Sequence, residues 1–181
     1  MKSLLAFVVG VGCWPVAEYW LHRVLGHVWR ARTPFRVEHI RHHAEGAYFA
    51  PGWKKAVAAA LVVPVASGCA SLFVDGVTAV VWGTGFSAAY LGYELLHRQL
   101  HLRAPRTLYG RWVRAHHFTH HFAGVAFNHA VTLPVLDRVF GTARRVVEVD
   151  VPRRLAPTWL VAAPEETWRA GPSGPVFRVV D

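Results

Sequence analysis

The sequence predicts an all-α integral membrane protein with about three spans that continue into a cytoplasmic, histidine-rich helical domain for two metal ions. Three observations carry that expectation. Three long apolar runs occupy much of a 181-residue chain that is 53% hydrophobic. Apart from Lys2, every Lys and Arg lies in residues 23–55 or 98–178. Ten of the 12 histidines fall in those same two regions, and the other two, His22 and His97, stand one residue before them.

The apolar runs are residues 4–21 (LLAFVVGVGCWPVAEYWL), 56–74 (AVAAALVVPVASGCASLFV) and 77–96 (VTAVVWGTGFSAAYLGYELL). Crossing ~30 Å of hydrocarbon takes about 20 apolar residues, and the three runs meet that length narrowly. As buried helices of a soluble protein they would leave too little polar chain to cover them. Pro15 and Pro64 fall inside two of them, which membrane helices tolerate. Asp75-Gly76 is a turn signal, so the second and third runs read as a tight hairpin. Three spans put both basic regions on one side, and the excess of Lys and Arg makes that side cytoplasmic. A cleaved signal peptide fits poorly, because the first run passes Cys13 without a polar break and leads straight to His22.

The chain is basic, with 20 Lys+Arg against 11 Asp+Glu. Nucleic acid is not the expected partner, since no basic helix, zinc finger or RNA-binding aromatic signature is present. Two cysteines, Cys13 and Cys69, lie within apolar runs and give neither a disulfide framework nor a zinc ribbon. Residues 1–150 read as one membrane domain, with histidine-rich helices over 22–50 and 97–142. Residues 151–181, with five prolines, read as an irregular tail with a short helix around 165–169.

Ten histidines form four motifs. His22 and His27 make HRVLGH; His39, His42 and His43 make HIRHH; His97 and His101 make HRQLH; His117, His120 and His121 make HFTHH. Positions three and four apart share a helix face, so each triplet and the 97/101 pair present their rings together. His22 and His27, five apart, lie off a common face of a regular helix, which suits two different ions or a distorted helix. Imidazole is the commonest metal ligand, and ten rings exceed what one ion takes. Two ions with about five nitrogens each are expected, with room for an outside ligand. Imidazole serves Fe, Zn, Cu and Ni alike, and the shortage of carboxylates argues against a Glu/His di-iron bundle.

Around the motifs stand candidate supporting residues. Glu18 precedes His22 by four and Glu94 precedes His97 by three, where a carboxylate would receive the second ring N–H of a ligand. Glu94 could instead pair with Arg98. His116 competes with His117 as a ligand or supports it, and His129 is a further supporting candidate.

The order HX4H, HXXHH, HX3H, HXXHH resembles the membrane fatty acid hydroxylase / sterol desaturase superfamily. The stretch NHAVTLPVLDRVFGT, residues 128–142, resembles that family's closing segment, and the likeness runs from about Glu18 to Thr142. It implies a non-haem di-iron oxygenase whose two Fe ions are held by His22, His27, His39, His42, His43, His97, His101, His117, His120 and His121, with zinc an alternative occupant on purification. Asn128 and Asp137 of the closing segment join the supporting candidates. The implied reaction is hydroxylation or desaturation of a lipid C–H bond with O2. Electrons are expected from a separate ferredoxin or b-type cytochrome with its reductase, docking on a basic face that includes Arg103, Arg106, Arg111 and Arg114. The family usually has four spans, so this chain's first hairpin reads as shortened. A site near the membrane surface favours oxidation near a lipid head group. The other readings are a carotenoid ring hydroxylase and, in a different class, a membrane metal-binding or transport protein.

Overall fold

A computed structural model describes residues Met1–Asp181, and the chain divides into two compact units. The first unit comprises Met1–Ala17 and Ala50–Leu95; the second comprises Glu18–Phe49 and Leu96–Asp181.

In the first unit, helices α1 (Lys2–Trp20), α3 (Gly52–Ala70) and α4 (Gly76–Leu102) carry the three apolar runs. Two helical stretches, Lys2–Val28 and Gly52–Ala70, are long and apolar enough to cross a membrane. α4 is longer, but Gly83, Thr84, Gly85, Ser87, Tyr90, Gly92 and Tyr93 dilute the third expected span. No residue of α3 is buried, and Leu61, Val65, Leu72 and Phe73 stand at least 66% exposed. A helix that is apolar all round and uncovered suits a lipid solvent rather than water.

Small residues let these helices approach closely. A Cβ on Gly10 would lie 2.1 Å from the Trp82 carbonyl oxygen, and one on Gly85 would lie 2.2 Å from that of Phe7. Such backbone-close crossings are the usual substitute for the hydrophobic effect inside a bilayer. Trp14 of α1 fills the next layer against Phe86, Tyr90 and Tyr93 of α4. Asp75 does more than turn the chain: its carboxylate accepts the Thr78 N–H at 3.0 Å and so caps α4.

The second unit takes in the last turn of α1, and a π-helical segment, Leu21–Val28, follows directly. Helix α2 (Pro34–Glu45) follows, with Thr33 as its N-cap, Pro34 in its first turn and Gly46 at φ 57° ending it. Helix α5 (Leu108–Ala123) is capped by Thr107, which accepts the Gly110 N–H at 2.9 Å. The helices expected over 97–142 are interrupted. Residues 124–134 form a loop entered at Gly124 (φ 149°), and only the short α6 (Val135–Val139) follows.

The tail departs from the expected irregular coil. Strands β1 (Glu148–Pro152), β2 (Thr167–Arg169) and β3 (Val176–Val180) make a sheet of order β1-β3-β2, with β1 parallel and β2 antiparallel to β3. A 3-10 turn, Pro164–Glu166, and strand β2 occupy the place of the expected short helix. Val149, Val151 and Phe177 point inward and join Phe118 of α5 and Leu160 of α7 (Thr158–Val161) in one core. Mostly helical architecture is therefore observed, with a small sheet added.

Candidate metal centre

The ten motif histidines converge inside the second unit as two sets of five. His22, His27, His39, His43 and His120 form one set, here called group A; His42, His97, His101, His117 and His121 form group B. Within each set the candidate ligand atoms all lie within 4.8 Å of one another.

Backbone geometry explains the partition. Each HXXHH triplet divides between the sets, so its three rings do not act as one face. α2 sends the i,i+4 pair His39/His43 to group A and His42 to group B; α5 sends His117/His121 to group B and His120 to group A. Regular helix also supplies His97 and His101 from the last turns of α4. The HX4H pair is accommodated by the π-helix, whose i→i+5 bonding brings residues five apart onto one face. That settles the two options left by the spacing: the helix is distorted and both rings enter the same set. Arg36 of α2 secures the end of this distortion by donating to the Gly26 carbonyl at 2.7 Å.

The nitrogens are too crowded to be explained by hydrogen bonding. Nε2 of His27 stands 3.2 Å from that of His22, 2.8 Å from that of His39 and 3.0 Å from that of His120. In group B, Nε2 of His117 lies 3.1 Å from that of His97 and 2.9 Å from that of His101. One imidazole nitrogen has a single proton or a single lone pair to share. Nitrogens bound about 2.1 Å from one ion in adjacent positions would stand about 3.0 Å apart. The donor sets therefore fit a metal ion in each.

Tautomers point the same way. The Nδ1–H groups of His22, His42 and His120 donate to the carbonyls of His129, Tyr48 (2.6 Å) and Phe127 (2.8 Å). Their Nε2 lone pairs are thus turned into the groups. Both ring nitrogens of His121 and Nδ1 of His117 are buried without a hydrogen bond, a costly state that a cation bound to the ring would relieve. Burial, and then the neighbouring imidazoles, push His39, His117, His120 and His121 well below the usual imidazole range; burial first and His42 next do so for His101. His43 is lowered to about 2, by burial first and His22 next. Neutral rings are the ligating form.

The supporting candidates land differently from their expected roles. Glu18 accepts the N–H groups of Val131 at 2.6 Å and Thr132 at 2.8 Å, so it steadies the loop whose His129 carbonyl receives His22. Glu94 is bound by Lys55, in place of the expected His97 or Arg98. His117 enters group B, whereas His116 turns to Asp137 at 2.8 Å. His129 stands beside group A, with ring centroids 5.4 Å from His120. Asp137, fully buried, also gathers the His129 and Ala130 N–H groups and the Thr142 hydroxyl. Burial raises its carboxyl, but the bonds from His116, His129, Thr142 and Ala130 outweigh this and hold it far below the carboxylate range. Asn128, at φ 58°, exchanges two hydrogen bonds with the backbone of Arg144.

Three features escaped sequence reasoning. The carbonyls of Tyr48, Phe127 and His129 are main-chain groups without a side-chain signature; Gly124 and Asn128, both prone to positive φ, marked the loop that carries two of them. Arg114, expected on a basic docking face, is 3% exposed and donates to the carbonyls of Gln99 and Leu100 at 2.8 Å, closing the end of α4. Trp159 of the tail donates its indole N–H to the His101 carbonyl at 3.1 Å.

This arrangement, HX4H on a π-turn with split triplets, coincides with a match to a family model, that of the fatty acid hydroxylases, over residues 7–142. The chain belongs to the fatty acid hydroxylase family. Relatives include fatty acid 2-hydroxylase of Macaca fascicularis, 30% identical over 151 residues, which cover 75% of this chain and 38% of that protein. The dihydroceramide fatty acyl 2-hydroxylase of Arabidopsis thaliana is 26% identical over 145 residues, covering 76% of this chain and 60% of that protein. The ceramide very long chain fatty acid hydroxylase of Schizosaccharomyces pombe is 29% identical over 149 residues, covering 77% and 42%. The chain thus spans between 38% and 60% of the length of these relatives. No solved structure matches it. Within the family match lie all ten histidines and the closing segment; β1 to β3 lie beyond it.

Proposed function

We propose that this chain is a membrane-bound non-haem di-iron oxygenase that hydroxylates the acyl chain of a lipid at a carbon near its polar end. The observation that carries the reading is the pair of five-imidazole sets in a chain of the fatty acid hydroxylase family. His22, His27, His39, His43 and His120 would hold one iron, and His42, His97, His101, His117 and His121 the other. Bound iron would supply the reduction of O2 and the oxidation of an unactivated C–H bond. The reaction converts R–H and O2 to R–OH and H2O, and it consumes two electrons and two protons. Those electrons would come from a one-electron carrier such as a ferredoxin or a b-type cytochrome with its reductase.

The protein's own groups hold and shield. Neutral rings keep ligand lone pairs available, and the carbonyl bonds at Nδ1 limit ring rotation. Beside group A, the exposed side chains of Val28, Trp29, Phe35 and Val37 offer an acyl chain an apolar approach. Phe35 stacks on His39 with ring centroids 5.9 Å apart. Residues 1–150 act as the membrane hydroxylase domain and 151–181 as its tail. Three spans with the basic, histidine-bearing segments on the cytoplasmic side fit the distribution of Lys and Arg. The names of the relatives favour attack at C2 of a fatty acyl group, free or in a ceramide, over a carotenoid ring; none of those named is a transporter.

The test is lipid mass spectrometry of cells expressing the chain or His120→Ala, with iron measured in the purified protein. The expected product is one oxygen heavier, carries its hydroxyl at C2 and is absent with the variant. A product lighter by two hydrogens would replace hydroxylation by desaturation. An iron-loaded, chemically reduced protein that leaves every lipid unchanged would overturn the reading.

A further inference from the structure

Away from the histidine sets, the second unit has a cavity of about 250 Å³ lined by Trp112, His116, Asn128, Arg138, Arg144 and Arg145, among others. The three arginines are exposed, and no acidic side chain lines the cavity. Two arginines of the tail, by contrast, are neutralised: Arg153 binds Glu166 and Asp181, and Arg178 binds Glu148 and Asp150. Arg144 is fixed in place, its backbone clamped by Asn128 and its guanidinium over the Phe127 ring at 4.7 Å. The result is a preformed basic recess with an aromatic wall.

That recess is wired to group A. His116, on its wall, donates from Nε2 to Asp137 at 2.8 Å. The other oxygen of Asp137 accepts the His129 N–H at 2.8 Å, and the His129 carbonyl accepts the ring N–H of His22. An unbroken covalent and hydrogen-bonded path therefore joins the recess to an imidazole of group A. Main-chain amides in such a path pass protons poorly, whereas covalent and hydrogen bonds both carry electronic coupling, which weakens with each link.

We propose that the recess seats a carboxylate of a small acidic one-electron carrier protein, and that His116, Asp137 and His129 form the route from it to His22. The proposal rests on the oxygenase reading above. Each docking transfers one electron, oxidising the carrier; two dockings supply the pair that hydroxylation consumes along with two protons. The site is distinct from the exposed loop of Arg103 and Arg106, a second basic stretch against which it is tested.

The test uses the full chain in nanodiscs of uncharged lipid, with an acidic [2Fe–2S] ferredoxin and an acidic b-type cytochrome as probes. Binding is measured by biolayer interferometry, and oxidation of the pre-reduced probe by stopped flow. Arg138→Glu/Arg145→Glu should weaken binding about 10-fold or more and flatten its salt dependence, while Arg103→Glu/Arg106→Glu should leave it within about 2-fold. Iron content and turnover with a chemical reductant should stay at wild-type values in both variants. Asp137→Asn should slow probe oxidation without weakening docking; its melting temperature separates that effect from loss of fold. The proposal is overturned if the loop variant loses binding instead, if neither variant does, or if the wild type turns over chemically yet binds neither probe. It is equally overturned if the recess variant loses affinity only for phosphatidylserine vesicles, which would make the recess a lipid headgroup site. A wild-type chain that retains no iron would count against the oxygenase reading itself, and so is distinguishable.

Discussion

Groups A and B contain the same five imidazoles in number, yet they are built and sheltered differently. Group B draws its pairs from regular turns of α4 and α5, and His42, His97, His101 and His117 are at most 9% exposed. Phe49 covers it, with ring centroids 5.2 Å from His42 and 5.7 Å from His97 and His101. Group A depends on a π-distortion for two of its rings, and His27, His39 and His43 are only partly buried. The two meet where His43 and His121 stack, with centroids 4.0 Å apart. The difference is one of enclosure: B is the more closed half and A the more open one.

Removing a ring should have the largest effect. His120→Ala and His117→Ala should each lower hydroxylation by at least about 100-fold, since even supporting partners of a ligand cost 10–100-fold. Iron analysis should show the loss concentrated in one set per variant. If a chelator strips wild-type iron in two phases, the faster should be the one missing from His120→Ala. A faster phase missing from His117→Ala would reverse the assignment of open and closed halves.

Gly26→Ala strikes group A alone. A Cβ there would lie 2.9 Å from Cδ2 and 3.2 Å from Nε2 of His39. The His39 ring cannot retreat without leaving its set, so this one methyl group should cost about 10–100-fold in activity. The slow chelation phase should be unchanged. Activity near wild type would show that the π-turn yields, and that group A is softer than its spacing implies.

Acidification probes both halves without metal. The folded pKa values of His39, His43, His101, His117, His120 and His121 are below the unfolded value of about 6.5, chiefly through burial. Between those values the unfolded chain binds more protons than the folded one. Stability of the metal-free chain should therefore be flat above about pH 6.5 and fall as pH drops below it. Urea titrations in micelles from pH 8 to pH 5 would measure the slope. His43→Gln and His121→Gln, one from each set, should shallow it by similar amounts; unequal effects would mean that one set is already open without metal.

The contrast also explains what was legible in the sequence. Identity was readable: ten histidines at ligand spacings, three apolar runs, and Asp137 and Thr142 in the closing segment. Assignment was not, because a triplet at i, i+3, i+4 shares a broad face and only the partner helices decide which ring crosses to which set. The π-turn was foreshadowed by His22 and His27, since five residues fit no regular helix face. Glu18 was identified by type and misjudged by partner, because its ligands are the N–H groups of Val131 and Thr132, far along the chain. The sheet was hidden by the five prolines around it. The signal present was the alternation of Val149 and Val151, both buried, with exposed Glu148 and Asp150.

Trp159→Phe should have the smallest effect and bears on why the tail is there. The variant keeps an aromatic ring near Phe118 and Trp168 and removes only the donor to the His101 carbonyl. That carbonyl belongs to the last turn of α4, where no further helical N–H follows to satisfy it. The expected loss is about 1 kcal/mol of stability. His101 is the ring of group B nearest the end of α4, so fraying there should quicken the slow chelation phase a few-fold and leave the fast phase alone. Chelator kinetics on the iron-loaded variant decide the matter. Selective quickening would mean the tail braces group B through one main-chain oxygen. Equal quickening of both phases would mean that the sheet stabilises the whole unit through α5 and Phe118, and that the rigidity of group B owes nothing particular to Trp159.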